Sequence, residues 1–500
     1  MNKKKPLVFL PGASGSMGYE TFKLLWEKRD HYDIVLLQRP SKTNKQLFRK
    51  YEKEAGIEPV KGKGVVQGVG LKIVWGDATC RDDVFEACKG IDWCLCCLAL
   101  ISPEADRHPE EALRVNSYAI KCIVEAIEDQ DPDHICMVYV GTIAEYGDRL
   151  PPIHQGRVGD PLLPSVFDMY AYSKILGERA VMESNIKHWV SLRQTFIMIP
   201  ELFSLMDPIM FHQPIDSFME CIAAKDSGRI MMKCLDVDSE SKFWRRCFNV
   251  SGGPACRTTY LELLDRVFSM TGIDYRKVME RKWFALKNFH MQFFEDAHLL
   301  NDHLDHWKGR QSMEDYYDEV WSRLPVYLKL VARLNKFVPP VRWIAHRFTK
   351  LKLRKLACSK NGAMVWIKSG DRRKIEAFYG SKDAFENIPG WGVDMPSLDH
   401  HMDYVRLNHG YDENKVRLTL KDLDKAAEFR GGRLISRHWD GNLFTKLSWS
   451  CCQDHAFDMS PNAVLKAGHW CTACIGPPWN YDYIAEKSEF FRQVWRGRTG

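Results

Sequence analysis

Short apolar runs alternate with longer stretches of helical period through the first two hundred residues. Leu7–Leu10, Asp33–Gln38, Leu71–Trp75, Trp93–Leu100 and Ile135–Val140 read as strands. The segments running to Trp26, over Asp82–Cys88 and over Glu110–Asp129 space apolar residues three and four apart and read as helices. Single helices between short strands predict an α/β fold with a parallel, doubly wound sheet. Lys61–Gly70 holds four glycines and is expected to be an exposed loop. Later, Phe248-Asn249-Val250 followed by Ser251-Gly252-Gly253-Pro254 predicts a strand and turn, and Thr258–Thr271 a helix. The pattern divides the chain into 1–310, whose alternating part gives way to a smaller mixed region from about 200, then an irregular helical and aromatic connecting region, 311–425. The last part, 426–500, is rich in glycine, tryptophan and cysteine.

Composition changes this picture little. A 500-residue chain, 45% hydrophobic and 27% charged, is long enough for several cores and is not a disordered or fibrous sequence. A net charge of +6 is too mild to predict nucleic-acid binding. The four apolar residues Leu7–Leu10 are too few for a signal peptide, and no apolar run approaches the ~18–20 residues that cross a bilayer. Sixteen cysteines without a secretory signal point to a reducing, cytoplasmic setting. Cys94, Cys96 and Cys97 read as small buried hydrophobes.

Candidate chemistry begins between the first strand and helix. Gly12-Ala13-Ser14-Gly15-Ser16-Met17-Gly18 combines a sharp turn with room for a pyrophosphate at a helix N-terminus, a Rossmann-like arrangement. The second strand ends Gln38-Arg39-Pro40-Ser41-Lys42, with no acid for ribose hydroxyls. Arg39 and Lys42 suit a 2′-phosphate, so NADP(H) is expected ahead of NAD.

Tyr170-Ala171-Tyr172-Ser173-Lys174 places a phenol and an ammonium on one helical face. A cation near a tyrosine lowers its pKa and equips it for proton transfer. The longer run Tyr170 to Gly177-Glu178 resembles the active-site helix of extended short-chain dehydrogenase/reductases, the NAD-dependent epimerase/dehydratase family. The Gly12–Gly18 turn is similar to that family's nucleotide loop, and Gly76-Asp77 to its adenine-contacting acid. Cys97-Leu98-Ala99 and Asn116 resemble its fourth-strand end and following helix, Gly141-Thr142 to Tyr146-Gly147 its substrate-hydroxyl turn, and Phe248-Asn249-Val250 a later strand. The resemblance covers about residues 5–275 and implies that 1–310 is an NADP-binding domain with a smaller substrate region. It implies cofactor contacts from Gly12, Ser14, Gly15, Ser16, Met17, Gly18, Asp77, Ala99, Asn116, Tyr170 and Lys174, besides Arg39 and Lys42. It also implies Tyr170 as acid or base, Lys174 as its activator, and Thr142 as the residue that orients the substrate oxygen.

Two departures bear on substrate. Ile143-Ala144 stands where the family's dehydratases carry an Asp-Glu pair, and Phe196 stands where its sugar-nucleotide epimerases carry an asparagine. A phenylalanine cannot make that hydrogen bond. The expectation is therefore an NADP(H)-dependent oxidoreductase for a small apolar or aromatic carbonyl or alcohol, with a homodimer left open. A nucleotide-sugar epimerase, or a non-catalytic nucleotide-sensing scaffold, is the alternative.

Near the C-terminus, Cys451-x3-His455-x15-Cys471-x2-Cys474 offers the ligands of a closed, structural zinc site. With Trp449 and Trp470 it resembles a treble-clef zinc finger over about residues 426–480, with Cys452 and His469 as alternative ligands. It is expected to act as a folding staple for the C-terminal region. Finally, Lys336–Lys355 has seven Lys or Arg, no acid, and interleaved Trp343, Ile344, Phe348, Leu351 and Leu353. A solvated helix face is the default reading of such a run, ahead of a membrane surface.

Overall fold

The computed structural model describes residues 5–149, 152–201, 206–393 and 404–495. The apolar runs pair into one eight-stranded sheet: β1 (Leu7–Phe9), β2 (Asp33–Gln38), β3 (Gly64–Gly68), β4 (Leu71–Trp75), β5 (Trp93–Cys96), β6 (Cys136–Thr142), β7 (His188–Gln194) and β8 (Arg246–Val250). Their order is β8-β7-β6-β5-β1-β2-β4-β3. All pairs are parallel except β3 with β4. The order reverses between β1 and β5, which opens a crevice at their C-terminal ends.

Both faces of the sheet are covered, so the strands are apolar almost throughout. Val8, Ile34 and Leu36 join α1 (Ser16–Glu27), α2 (Lys42–Glu54) and α6 (Ala224–Cys234) in one hydrophobic cluster. The alternate residues Phe9, Val35 and Leu37 pack with α3 (Arg81–Cys88), α4 (Ala119–Glu128) and α5 (Met169–Met182) in the other. This second cluster continues without a break into Trp449, Trp470 and Phe490 of the C-terminal region.

Three expectations need correction. Lys61–Gly70 is not a loop: Gly64–Gly68 forms β3, antiparallel to β4, with Val66 buried opposite Ile73. Gly68 marks close packing, since a Cβ there would lie 2.1 Å from the Ala55 carbonyl oxygen. The helix over Glu110–Asp129 is interrupted by a π turn at Arg114–Tyr118 that leads directly into α4. The described residues of 311–425, expected to be irregular as well as helical, are predominantly in regular helices. They include α7 (Val326–Phe337), α8 (Pro339–Ala357), Met313–Arg323, Ala363–Ser369, Arg372–Tyr379 and Leu420–Phe429. Pro325 and Pro339 sit at helix starts, where a missing N–H costs nothing. Among the described residues no helix is long and apolar enough to cross a membrane. The C-terminal region adds a small antiparallel sheet of β9 (Arg433–Leu434), β10 (Leu447–Ser450) and β11 (Ala456–Met459).

The fold also buries neutral histidines. His306 donates from Nε2 to the Ser251 carbonyl (3.2 Å) just beyond β8, and His154 stacks on Phe218. Burial pushes the pKa of each down to about 4 from 6.5. Between these values the unfolded chain binds protons that the folded chain does not. Stability is therefore held above pH ~6.5 and lost as pH falls toward ~4, by roughly 1.4 kcal/mol per unit for each histidine. Urea unfolding between pH 7.5 and 5 is expected to show this slope, and His306→Gln to reduce it.

Candidate functional site

The turn after β1 is built by two glycines that admit no side chain. Gly12 has φ +85°, and a Cβ there would lie 2.5 Å from the Cys97 carbonyl oxygen. A Cβ on Gly18 would lie 2.2 Å from the Gly12 oxygen, so α1 packs directly on the turn. Gly15 differs. It is exposed between Ser14 and Ser16, its nearest Cβ contact would be an ordinary 3.5 Å, and no side chain caps α1. Free N–H groups at the start of a twelve-residue helix, behind an exposed glycine, fit an approaching pyrophosphate. Met17 is buried and anchors the helix.

The neighbouring strand ends supply the rest of the crevice. Gln38 is buried, whereas Arg39 and Lys42 are exposed, and Arg39 lies only loosely near Glu111 (3.9 Å). Asp77 accepts from the Thr79 N–H and hydroxyl, both at 2.8 Å. Burial opposes its charge, but these bonds and the Arg39 and Lys63 cations hold its pKa below the usual value. Ala99 is exposed at the lip beyond β5. Asn116, in the π turn, is fully buried. It clasps both backbone groups of Leu100 (2.7 and 2.9 Å) and donates to the Ser173 hydroxyl on α5 (2.9 Å). Gly177 allows this contact, since its Cβ would lie 2.2 Å from the Asn116 oxygen.

α5 carries Tyr170 and Lys174 past the end of β6, where Thr142 stands. Asp168 caps the helix through the Ala171 N–H (2.8 Å) and meets His290 Nδ1 at 3.0 Å. Asp106 accepts the Met169 N–H (2.9 Å), and burial beside Asp168 pushes its pKa up to about 7. Burial also raises the pKa of Tyr170, opposed by the neighbouring Thr142 side chain. The Lys174 ammonium donates to the Val140 carbonyl (2.6 Å) and lies 4.2 Å above the Tyr139 ring. Burial lowers its pKa. The structure thus places Tyr170 beside Thr142 and sets Lys174 one turn further along, engaged with β6 rather than with the phenol.

Behind this helix lies a buried polar layer that sequence reasoning missed. Arg193 on β7 donates to both Glu178 oxygens (3.1 and 2.7 Å), to Tyr146 Oη (2.9 Å) and to the Ala467 carbonyl (2.8 Å). His469 Nε2 donates to Glu178 at 2.8 Å. Glu145 accepts the Thr142 N–H (3.2 Å) and lies 3.5 Å from Arg193. Burial opposes ionisation of Glu178, but Arg193 and His469 hold its pKa well down. Burial and the Glu178 carboxylate push Glu145 up. Glu178 already stood in the quoted helix motif; a carboxylate one turn beyond a lysine on a buried face was the available signal.

The C-terminal cysteines form a second cluster. Cys451 follows β10, His455 precedes β11, Cys471 caps the helical turn Thr472–Ile475 and Cys474 lies within it. His455 Nδ1 lies 3.4, 3.5 and 3.6 Å from the Cys451, Cys471 and Cys474 sulfurs, and Cys451 and Cys474 are 3.5 Å apart. A disulfide requires ~2.05 Å. Tetrahedral zinc with ~2.3 Å bonds to sulfur and ~2.0 Å to nitrogen sets its ligand atoms roughly 3.5–3.8 Å apart. The four side chains fit such an ion, and His469 is committed to Glu178 instead. The cluster does not stand apart from the helix carrying Tyr170. Arg179 donates to the Asp458 carbonyl (2.9 Å), Ser460 to Glu183 (2.6 Å), and Tyr172 packs on Gly476.

Residues 43–196 match the model of the 3-beta hydroxysteroid dehydrogenase/isomerase family. The matched stretch runs from α2 to just beyond β7 and contains Thr142, Tyr170 and Lys174. Over this stretch the chain is similar to that family, and the strand order is that of a Rossmann-like, doubly wound sheet. No curated protein matches the sequence. Among solved structures, the chain is similar to dTDP-glucose 4,6-dehydratase from Bacillus anthracis in complex with NAD, at 14% identity and TM-score 0.49, covering 63% of this chain and 96% of that one. It is also similar to WbmG of Bordetella bronchiseptica in complex with NAD and UDP, at 17% identity and TM-score 0.46, covering 64% and 94%. A dTDP-4-dehydrorhamnose reductase from Clostridium acetobutylicum matches at 13% identity and TM-score 0.44, covering 63% and 98%.

Proposed function

We propose that this protein is an NADP(H)-dependent oxidoreductase acting on a small apolar or aromatic alcohol or carbonyl compound. The observation that carries the reading is the placement of Tyr170 beside Thr142 at the end of β6, on the crevice side of the sheet. The nicotinamide would supply the hydride. Thr142 orients the substrate oxygen, and Tyr170 gives or takes its proton. Lys174 spends one N–H on Val140 and keeps two for the nicotinamide ribose. Gly15 and the start of α1 receive the pyrophosphate, and Asp77 the adenine side. The absence of an acid at Gln38, with Arg39 and Lys42 exposed beside it, supports the 2′-phosphate. The matched family's name specifies a hydroxysteroid, an apolar alcohol, in line with Phe196 at the position a sugar nucleotide would need polar. Zinc at Cys451, His455, Cys471 and Cys474 would staple the C-terminal region onto α5.

Tyr170→Phe keeps the ring and loses the exchangeable proton. Single-turnover oxidation of NADPH against a panel of apolar carbonyl compounds is expected to slow ~10²–10⁴-fold with cofactor affinity little changed. Hydride transfer at the wild-type rate would refute the assignment. Titration of both cofactors tests the second claim: NADPH binds more tightly than NADH, and Arg39→Ala removes ~1.5–3 kcal/mol of that preference. Equal affinities in the wild type would exclude it. Elemental analysis is expected to find one zinc per chain. Cys474→Ser should lower the thermal midpoint and, because the cluster packs on α5, also lower turnover. Metal-free protein of full stability would argue against the ion.

A further inference from the structure

The 47-residue segment 324–370 contains eleven Lys or Arg and no Asp or Glu. The structure folds most of it into α7 and α8, two consecutive helices joined at Val338. Each has a narrow buried side. On α7 this is Ala332 and Asn335, whose amide donates to the Thr271 carbonyl (3.0 Å); on α8 it is Leu353 and Ala357. At 100° per residue, the opposite sides carry Val326, Leu330 and Phe337 on α7 and Ile344, Phe348 and Leu351 on α8. These point to solvent: Val326 is 82% exposed, Phe337 81% and Phe348 71%. Basic side chains flank the apolar stripes, including Lys329, Arg333, Lys336, Arg347 and Lys352. Among the described residues only Lys350 on these helices has an acid within ion-pair distance, Glu280 at 3.4 Å.

A solvated helix face puts its polar residues outward. Here the outward stripe is apolar on two successive helices, which is the arrangement of a surface that is covered by something. The charge decides by what. A second copy of the chain would bring the same uncompensated cations together, and a nucleic acid would have no use for the apolar stripes. An anionic lipid surface takes both: acyl chains receive the apolar stripes, and headgroups meet the flanking cations. Trp343, 62% exposed at the margin, suits the headgroup layer. Neither helix is apolar enough to span.

We propose that α7 and α8 form a monotopic docking surface for an anionic membrane, with the two helices lying in the plane of the interface. The full-length protein is tested by co-sedimentation with phosphatidylcholine vesicles, with and without about a third phosphatidylserine. Binding to the anionic vesicles is expected, weaker on neutral ones and reduced by salt. Phe337→Glu/Phe348→Glu, both at exposed positions, should weaken it about tenfold or more, with the thermal midpoint and NADPH affinity unchanged. Hydrogen exchange over 326–351 should slow on vesicles. Absence of vesicle binding, or equal binding by the double variant, overturns the proposal. So does a dimer in sedimentation equilibrium that the double variant dissociates, since a second copy would then cover the face.

Discussion

The bond on which most of the site depends is the ion pair between Arg193 and Glu178, both wholly removed from water. Taking two such charges into a protein costs several kcal/mol each, and their attraction returns this only when the remaining donors and acceptors are met. Here they are met by groups from many parts of the chain. Ser191 (2.5 Å) and His469 serve Glu178, while Tyr146 and Ala467 serve Arg193. Tyr146 in turn donates to Asn249 on β8, and Asn249 to Asp296. One guanidinium thus fixes β6, β7, β8, α5 and the C-terminal region against each other. Glu145, held in the same layer, grips the backbone of Thr142.

That arrangement gives α5 two duties. Tyr170 and Lys174 face the strand ends, while Tyr172, Arg179 and Glu183 receive the cysteine cluster and its hairpin. The C-terminal region is therefore a wall of the Rossmann-like domain. This explains why the hydrophobic core passes from the sheet into Trp449 and Trp470 without a boundary. The four clustered Cys and His side chains come from a strand end, a strand start and one helical turn, all within 24 residues of chain. Local spacing sets their geometry, and His469 beside them ties it to Glu178.

The elements legible in the sequence were those encoded locally. The strands of the sheet announce themselves as apolar runs, the Gly12–Gly18 turn by its spacing, and the Cys/His cluster by ligand intervals. Thr142 and Tyr170 lie 28 residues apart, yet the strand and helix that carry them were each readable, so their meeting followed from the topology. What was not legible depended on distant partners. The Glu178–His469 bond spans 291 residues, and Asp106 reaches the start of α5 from 63 residues upstream. Gly68 misled for a related reason. Glycine signals freedom in a short window, while the Ala55 carbonyl that forbids a side chain there is invisible to it. In α7 and α8 the period was helical but the burial was inverted, and periodicity alone cannot tell an apolar stripe that faces a core from one that faces out.

The π turn at Arg114–Tyr118 has a different kind of consequence. A π turn holds one residue more than the α-helical turn it replaces, so the helix before it and the helix after it are out of phase. Asn116 owes its aim to this surplus residue: it reaches Leu100 and Ser173 together because the chain bulges there. A single-residue deletion in this turn would restore regular helical winding while rotating everything upstream by about 100°. In this stretch of the protein, chain length itself carries structural information, and an alignment gap would matter more than most substitutions.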